Sequence, residues 1–173
     1  NCWYVAGWSK DYNRSLKAER YLGENIVIFR KKDGSPAALE NACPHRKVPL
    51  SKGTLTDDVI VCDYHGLRFN SKGECTDSPT QRGMTPRRAV VKSYPIVDKY
   101  KLLWIWMGNP ELANPELIFP IENYDDPSWG CTDGGVLDIK CNYLWVCDNL
   151  LDPSHSVVGY GYHGNIAVML FGI

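Results

Sequence analysis

The sequence predicts an α+β chain, in which an all-β domain over residues 1–110 precedes the start of an α+β domain over residues 111–173. Three observations support this division. Short apolar stretches separated by polar turns fill the first segment, four prolines interrupt residues 109–130, and a helix-like stretch begins at residue 144. Short strands at this spacing are typical of a sandwich or barrel.

The predicted strands of the first domain form successive hairpins. Residues 24–41 contain two strands about a polar turn at 31–36, and residues 57–75 contain two more joined at 63–66. Residues 89–108 add two strands around positions 98–101, and the proline-rich stretch that follows is interpreted as a long connection. In the second domain, "GGVLDIKCNY" alternates like a strand and "LWVCDNLLDPSH" has the pattern of one or two helices.

Composition excludes several classes of function. The net charge of −1 gives no reason to expect a nucleic-acid or membrane partner, and the longest apolar stretches, such as "LLWIWM", have the length of strands. Seven cysteines, an odd number spread through the chain, do not form the pattern of a secreted disulfide framework. We therefore expect a reducing compartment, the cytoplasm.

A first group of metal-ligand residues follows the pattern C-x-H, sixteen residues, then C-x-x-H. Its members are Cys43, His45, Cys62 and His65, within "CPHRKVPLSKG" and "CDYHGLRF". Two thiolates and two imidazoles suit either a structural zinc ion or a Rieske [2Fe–2S] cluster. In zinc sites one segment usually supplies two cysteines and the other two histidines. Here each segment supplies one sulfur and one nitrogen, which favours the two-iron cluster.

These segments resemble the Rieske domain of the Rieske non-haem iron oxygenases. The resemblance extends to "NCWYVAGW", "LLWIWMG" and "CNYLWVCDNLLDPSH", and is greatest to the vanillate O-demethylase and dicamba monooxygenase group. Beside the ligands, Tyr64 either donates its hydroxyl to a sulfur or merely packs, and Gly53 and Gly66 allow tight turns. Arg46 and Lys47 form either a docking surface for an electron donor or an ordinary solvated loop.

The resemblance implies a second metal site in "DNLLDPSH". His155 would ligate a mononuclear Fe(II), and Asp152 would bridge it to His65 of a neighbouring subunit, which implies a homotrimer. Residues i and i+3 share a helix face, so Asp152 is able to orient His155; alternatively, Asp152 before Pro153 simply starts a helix. Asn149 either lines the iron site or packs.

Beyond His155 the chain departs from the family pattern H-x4-H, because position 160 is Tyr160. His163, in the glycine-rich "GYGYHGN", is the candidate second histidine ligand, unless residues are missing here. No Asp or Glu follows Asp152, so we expect the family's carboxylate ligand to lie outside this chain and the catalytic site to be incomplete in it.

The function implied is that of the oxygenase component of a monooxygenase. It would use O2, and NAD(P)H electrons delivered by a separate reductase or ferredoxin, to hydroxylate or O-demethylate a small organic substrate, aromatic or alkaloid-like. The main alternative is a Rieske-type ferredoxin that only carries electrons. The extension past the β domain, with its "NLLDPSH", favours the oxygenase.

Overall fold

In the computed structural model of the protein, residues 1–79, 84–85, 88–132 and 134–152 are described. The chain divides into two units, one spanning Asn1–Glu122 and another beginning at Asn123. The described strands of the first unit form three antiparallel sheets, and the second unit contributes a helix. The predicted α+β class, with a β-rich N-terminal domain, is confirmed.

A four-stranded sheet with strand order β2-β3-β4-β9 lies between the other two. Its strands are β2 (Lys17–Tyr21), β3 (Glu24–Arg30), β4 (Pro36–Glu40) and β9 (Ser93–Tyr94). The run "IVIF" in β3 is fully buried because successive side chains point to opposite faces and both faces are covered. Ile26 and Ile28 pack towards one neighbouring sheet, while Val27 and Phe29 pack towards the other.

The sheet covering Val27 and Phe29 lies next to the two loops that contain the predicted metal ligands, residues 41–53 and 62–67. It has the order β5-β6-β7-β8, with β5 (Thr54–Thr56), β6 (Val59–Val61), β7 (Arg68–Phe69) and β8 (Cys75–Asp77). Leu50, Ile60 and Phe69 are fully buried in the same core cluster as Cys43 and Cys62. The cysteines are therefore anchored in the hydrophobic core between two sheets.

The third sheet joins the beginning of the chain to the end of the β domain. Its order is β1-β11-β10, with β1 (Cys2–Trp8), β10 (Ile96–Lys99) and β11 (Leu102–Met107). The hairpins predicted from β3–β4, β6–β7 and β10–β11 are all present.

The stretch after β11 is packed against this sheet. The tetrapeptide Asn-Pro-Glu-Leu occurs twice, and each copy forms a 3-10 turn, Pro110–Leu112 and Pro115–Leu117. Each Asn side chain accepts a hydrogen bond from the backbone N–H of the Glu two residues later. Each Asn carbonyl also accepts from an indole N–H, Trp106 to Asn109 and Trp3 to Asn114, both at 2.8 Å. The predicted connection is thus held on the β domain by paired, specific bonds.

In the second unit, the strand predicted over "GGVLDIKCNY" is wrong. The described residues 134–142 form no strand, and Val136, Leu137 and Ile139 are exposed. An alternating pattern signals a strand only where a partner strand supplies hydrogen bonds. The predicted helix is present as α1 (Tyr143–Leu151), capped by the Asn142 side chain, which accepts from Leu144 N. Within the described residues, no helix is long and apolar enough to cross a membrane.

Candidate Rieske centre

The first arm, residues 43–48, is a tight turn that begins at Cys43. The backbone N–H of Cys43 donates to Val48 O at 2.8 Å, and Lys47 N donates back to Cys43 O at 2.8 Å. Lys47 adopts a left-handed backbone conformation, with φ of 58°. The turn leaves Cys43 only 2% exposed, while His45 projects at the surface.

The second arm, residues 62–67, repeats the same turn directly after β6. Cys62 N donates to Leu67 O at 2.9 Å, and Gly66 N donates to Cys62 O at 2.8 Å, with φ of 74° at Gly66. Cys62 is 2% exposed, like its counterpart. The histidine lies three residues after the cysteine here and two in the first arm, so the same backbone turn carries the two patterns C-x-x-H and C-x-H.

The two histidines meet at the open end of the arms. Nδ1 of His45 lies 3.1 Å from Nδ1 of His65, and the ring centroids are 4.5 Å apart. With metal–nitrogen bonds of about 2.0–2.1 Å, this separation corresponds to a ligand angle of roughly 95–102° at one ion. The pair therefore fits two imidazole ligands on a single iron, as in a Rieske centre.

The two cysteines form the other half of the site, on its buried side. Burial raises the pKa of the Cys43 thiol, the backbone N–H groups of His45 and Arg46 act in the opposite direction, and the adjacent Cys62 thiol raises it further. Two thiols this close are unfavourable as uncompensated thiolates, and a bound cation compensates that charge. Backbone N–H groups directed at sulfur also stabilise a metal-bound thiolate.

The donor set therefore consists of a buried sulfur pair and a more exposed nitrogen pair. A two-plus-two arrangement is the one that a [2Fe–2S] cluster with two cysteines on one iron and two histidines on the other requires.

Two glycines permit the close approaches around the arms. A Cβ on Gly53 would lie 2.2 Å from the carbonyl oxygen of Val61, the residue before Cys62. Only glycine therefore allows the chain after the first arm to pass this close to β6. A Cβ on Gly66 would lie 3.1 Å from Pro79 Cγ, and the positive φ there disfavours any side chain. Both glycines also lie in tight turns, as the sequence predicts, with Gly53 N donating to Leu50 O at 3.0 Å and Gly66 N donating to Cys62 O at 2.8 Å.

Tyr64 extends the site to the surface. Tyr64 is 59% exposed, and its ring packs against the His65 ring in a tilted contact, with centroids 4.0 Å apart and planes inclined by 52°. The contact made by Tyr64 is thus aromatic packing on the candidate ligand.

Sequence reasoning did not identify Asn41 and Ser51, which flank the first arm and are hydrogen-bonded to each other. Both are common surface residues outside any ligand pattern. The only signal in the sequence was that an asparagine stands two residues before Cys43 and a serine ten residues after that asparagine.

The second predicted metal site is only partly described. Asn149 is exposed on α1, and Asp152 caps the C-terminal end of that helix, its backbone N–H donating to Asp148 O at 3.1 Å. Since α1 ends at Leu151, Asp152 lies at a helix boundary. His155 and His163 lie outside the described residues.

The family profile of the Rieske [2Fe-2S] domain matches residues 2–95, which include all four candidate ligands. The chain belongs to the Rieske family. The resemblance seen in the two ligand segments is confirmed, and the match favours a two-iron cluster over a zinc ion.

The Rieske chain is similar to oxygenase components over most of its length. It is 40% identical over 156 residues to the iron–sulfur subunit of the toluene-4-sulfonate monooxygenase system of Comamonas testosteroni, covering 90% of this chain and 44% of that one. It is 37% identical to the vanillate O-demethylase oxygenase subunit of a Pseudomonas species, covering 90% and 43%. A crystal structure of dicamba monooxygenase with non-haem iron and dicamba superposes with a TM-score of 0.81 at 38% identity, covering 87% and 46%. This Rieske chain thus spans a little under half the length of these relatives.

Proposed function

We propose that this chain belongs to the oxygenase component of a Rieske non-haem iron monooxygenase. The observation that carries the proposal is the extent of the similarity: oxygenase components match 90% of the chain, whereas the Rieske domain alone matches residues 2–95. A ferredoxin would need only the shorter match. The similarity beyond residue 95 therefore favours an oxygenase over a pure electron carrier.

In this proposal Cys43 and Cys62 hold the buried iron of the cluster, and His45 and His65 hold the exposed one. The cluster supplies one-electron transfer. The chain's contribution is to fix the four donor atoms with two matching turns, to keep water from the sulfurs by burial, and to direct backbone N–H groups at Cys43.

A second iron site is proposed at the end of α1, by resemblance. His155 is the ligand of a mononuclear Fe(II) that the resemblance implies, and His163 is the candidate second ligand although its spacing departs from the family pattern; such an iron supplies O2 activation. The carboxylate of Asp152 would orient His155 by accepting a hydrogen bond from its ring N–H. In a homotrimer the same carboxylate would also accept a hydrogen bond from His65 of a neighbouring subunit. Asn149 would line the site.

The proposed reaction is hydroxylation of a small aromatic or alkaloid-like substrate, with O-demethylation as its result where the hydroxylated carbon bears an ether oxygen. The electrons would come from NAD(P)H through a separate reductase or ferredoxin. Arg46, exposed beside His45, offers positive charge to an acidic face of that donor, and the equally exposed Lys47 adds to it while lying 3.6 Å from a carboxylate oxygen of Glu40. A reducing cytoplasm would suit metal-ligating thiolates such as those proposed for Cys43 and Cys62.

The test is His155→Ala in the full-length protein, supplied with a reductase and methoxybenzoate substrates. We expect the mononuclear iron and the product to be lost while the Rieske EPR spectrum is retained. Retained turnover would refute the assignment of His155 as an iron ligand of an oxygenase. A protein that accepts electrons but never yields an oxidised product from any substrate, even with both irons loaded, would favour the ferredoxin.

Asp152→Ala tests the bridging role separately, with Asp148→Ala one helical turn earlier as the matched control. The Asp152 variant should keep both metals and slow oxidation of the reduced cluster in a single turnover by about tenfold or more. The Asp148 variant should behave like the wild type. Equal rates in all three proteins would contradict the bridge.

A further inference from the structure

Asn41 closes the segment that carries the first arm. Its Nδ2 donates to Ser51 Oγ at 2.9 Å, and Ser51 N donates to Asn41 Oδ1 at 2.7 Å. These two reciprocal bonds, called the clasp below, join the two ends of residues 41–51. Both partners are half-buried, where such bonds are less weakened by competing water.

Each end of the clasp is also anchored to the rest of the β domain. The backbone N–H of Asn41 donates to Asn25 O at 2.9 Å, which ties it to the start of β3. Two residues after Ser51, Gly53 passes against the carbonyl of Val61, next to Cys62. The clasp therefore relates the first arm both to the central sheet and to the strand that leads into the second arm.

Within the closed segment the two candidate ligands are held differently. Cys43 lies in the core beside Leu50, which is fully buried, and packing fixes its position. His45 is exposed, so the path of the backbone, more than packing, determines where its Nδ1 lies. The separation of 3.1 Å from His65 Nδ1 accordingly depends on how firmly the first arm is closed.

We infer that Asn41 is a positioning residue of the Rieske centre, acting through its clasp with Ser51 to hold His45 and Cys43 opposite the second arm. The inference rests on the ligand assignment in the proposed function. Partners that orient metal ligands typically change metal affinity by about 10- to 100-fold when removed. Asn41 contributes no ligand itself.

The test compares cluster retention in four full-length proteins. Asn41→Ala removes both bonds; Asn41→Asp preserves them with one role reversed, because a carboxylate accepts from Ser51 N and from the Ser51 hydroxyl. Asn70→Ala is the matched control, since Asn70 also bonds across a turn, to Glu74, in a hairpin that carries no candidate ligand. The wild type is the reference.

The primary measurement is the rate of loss of the Rieske visible and EPR signals to a chelator, at a temperature where far-UV circular dichroism shows all four proteins folded. We expect Asn41→Ala to lose the cluster about tenfold faster and to shift its reduction potential. Asn41→Asp should return the rate to within a few-fold of the wild type. Asn70→Ala should lower the melting temperature without changing the rate or the potential.

Wild-type rates in Asn41→Ala, or an equal acceleration in Asn70→Ala, would overturn the inference, as would failure of Asn41→Asp to restore retention. If Asn41→Ala does not fold, Ser51→Ala decides: it removes only the Nδ2 bond and should give an intermediate rate. The absence of a Rieske signal in the wild type would instead refute the ligand assignment.

Discussion

Nδ1 of His45 lies 3.1 Å from Nδ1 of His65, although the two residues are 20 positions apart in the chain. Two arms with the same backbone hydrogen bonds bring them together, each starting from a cysteine in the hydrophobic core. Because His45 is exposed and His65 half-buried, whereas both cysteines are buried, an iron held by the histidines would be the one accessible to a redox partner.

His65→Ala should abolish the Rieske centre without unfolding the protein. His65 is only half-buried, so its loss should change the free energy of unfolding of the cluster-free protein by about 1 kcal/mol or less. Iron and sulfide analysis with thermal melts checks this, and Tyr64→Leu at the neighbouring position is the control that should retain the cluster. A normal Rieske spectrum in His65→Ala would contradict the ligand role.

Gly66→Ala should destabilise the protein by about 1–2 kcal/mol, because a side chain is disfavoured at its φ of 74° and would press on Pro79. Lys47→Gly is the counterpart in the first arm, where a lysine already adopts φ of 58°. It should leave stability unchanged or raise it by up to about 1 kcal/mol. Urea unfolding of both variants measures the two changes in the free energy of unfolding. If Lys47→Gly destabilised the protein as much as Gly66→Ala, the two turns would not share the same left-handed position.

Trp3→Phe should lower the free energy of unfolding by about 1–2 kcal/mol. The substitution removes the indole N–H that donates to Asn114 O at 2.8 Å, so that this carbonyl keeps only the bond from Leu117 N at 3.0 Å, and it shrinks a buried ring. Trp129→Phe, on a ring that is 64% exposed, is the control and should have an effect within about 0.5 kcal/mol. Equal losses in both variants would mean that the bond does not hold the Asn-Pro-Glu-Leu turns.

Stability should fall in acid partly through Glu24. Its pKa is held below the ordinary value by hydrogen bonds from Lys92 first and from Tyr94 second. A lowered carboxyl pKa contributes stability that is present above the unfolded-state pKa, near 4.5, and is lost as the pH falls through the folded-state value. Glu24→Gln should therefore be less stable than the wild type at pH 7, by under about 1 kcal/mol because the carboxylate is partly exposed, and equal to it in strong acid. A difference that persisted unchanged at low pH would exclude this cause.

Much of the β domain was predictable because its signals are local. The hairpins about 31–36 and 98–101 follow from apolar runs and turn residues, and the four candidate ligands follow from cysteine and histidine spacing. The pairing of Cys2 with Met107 was not predictable, since nothing local records which distant strand completes a sheet. The clasp between Asn41 and Ser51 was missed for the same reason.

The strand predicted at 134–143 failed for a related reason. Alternation describes the side chains of a segment and carries no information about a partner for its backbone. The order in the stretch after β11 was not predicted, because its prolines indicated a simple connection. In the structure, the side chain of each asparagine before a proline caps a turn, and its backbone carbonyl accepts an indole N–H.

The most direct test of the Rieske assignment is pulsed EPR of the reduced full-length protein, grown once with ordinary and once with nitrogen-15 histidine. The two histidine side chains on one iron predict two strongly coupled nitrogens, both of which change on labelling. A reduced cluster without histidine couplings, or a protein that contains zinc and gives no EPR signal, would contradict the assignment of His45 and His65.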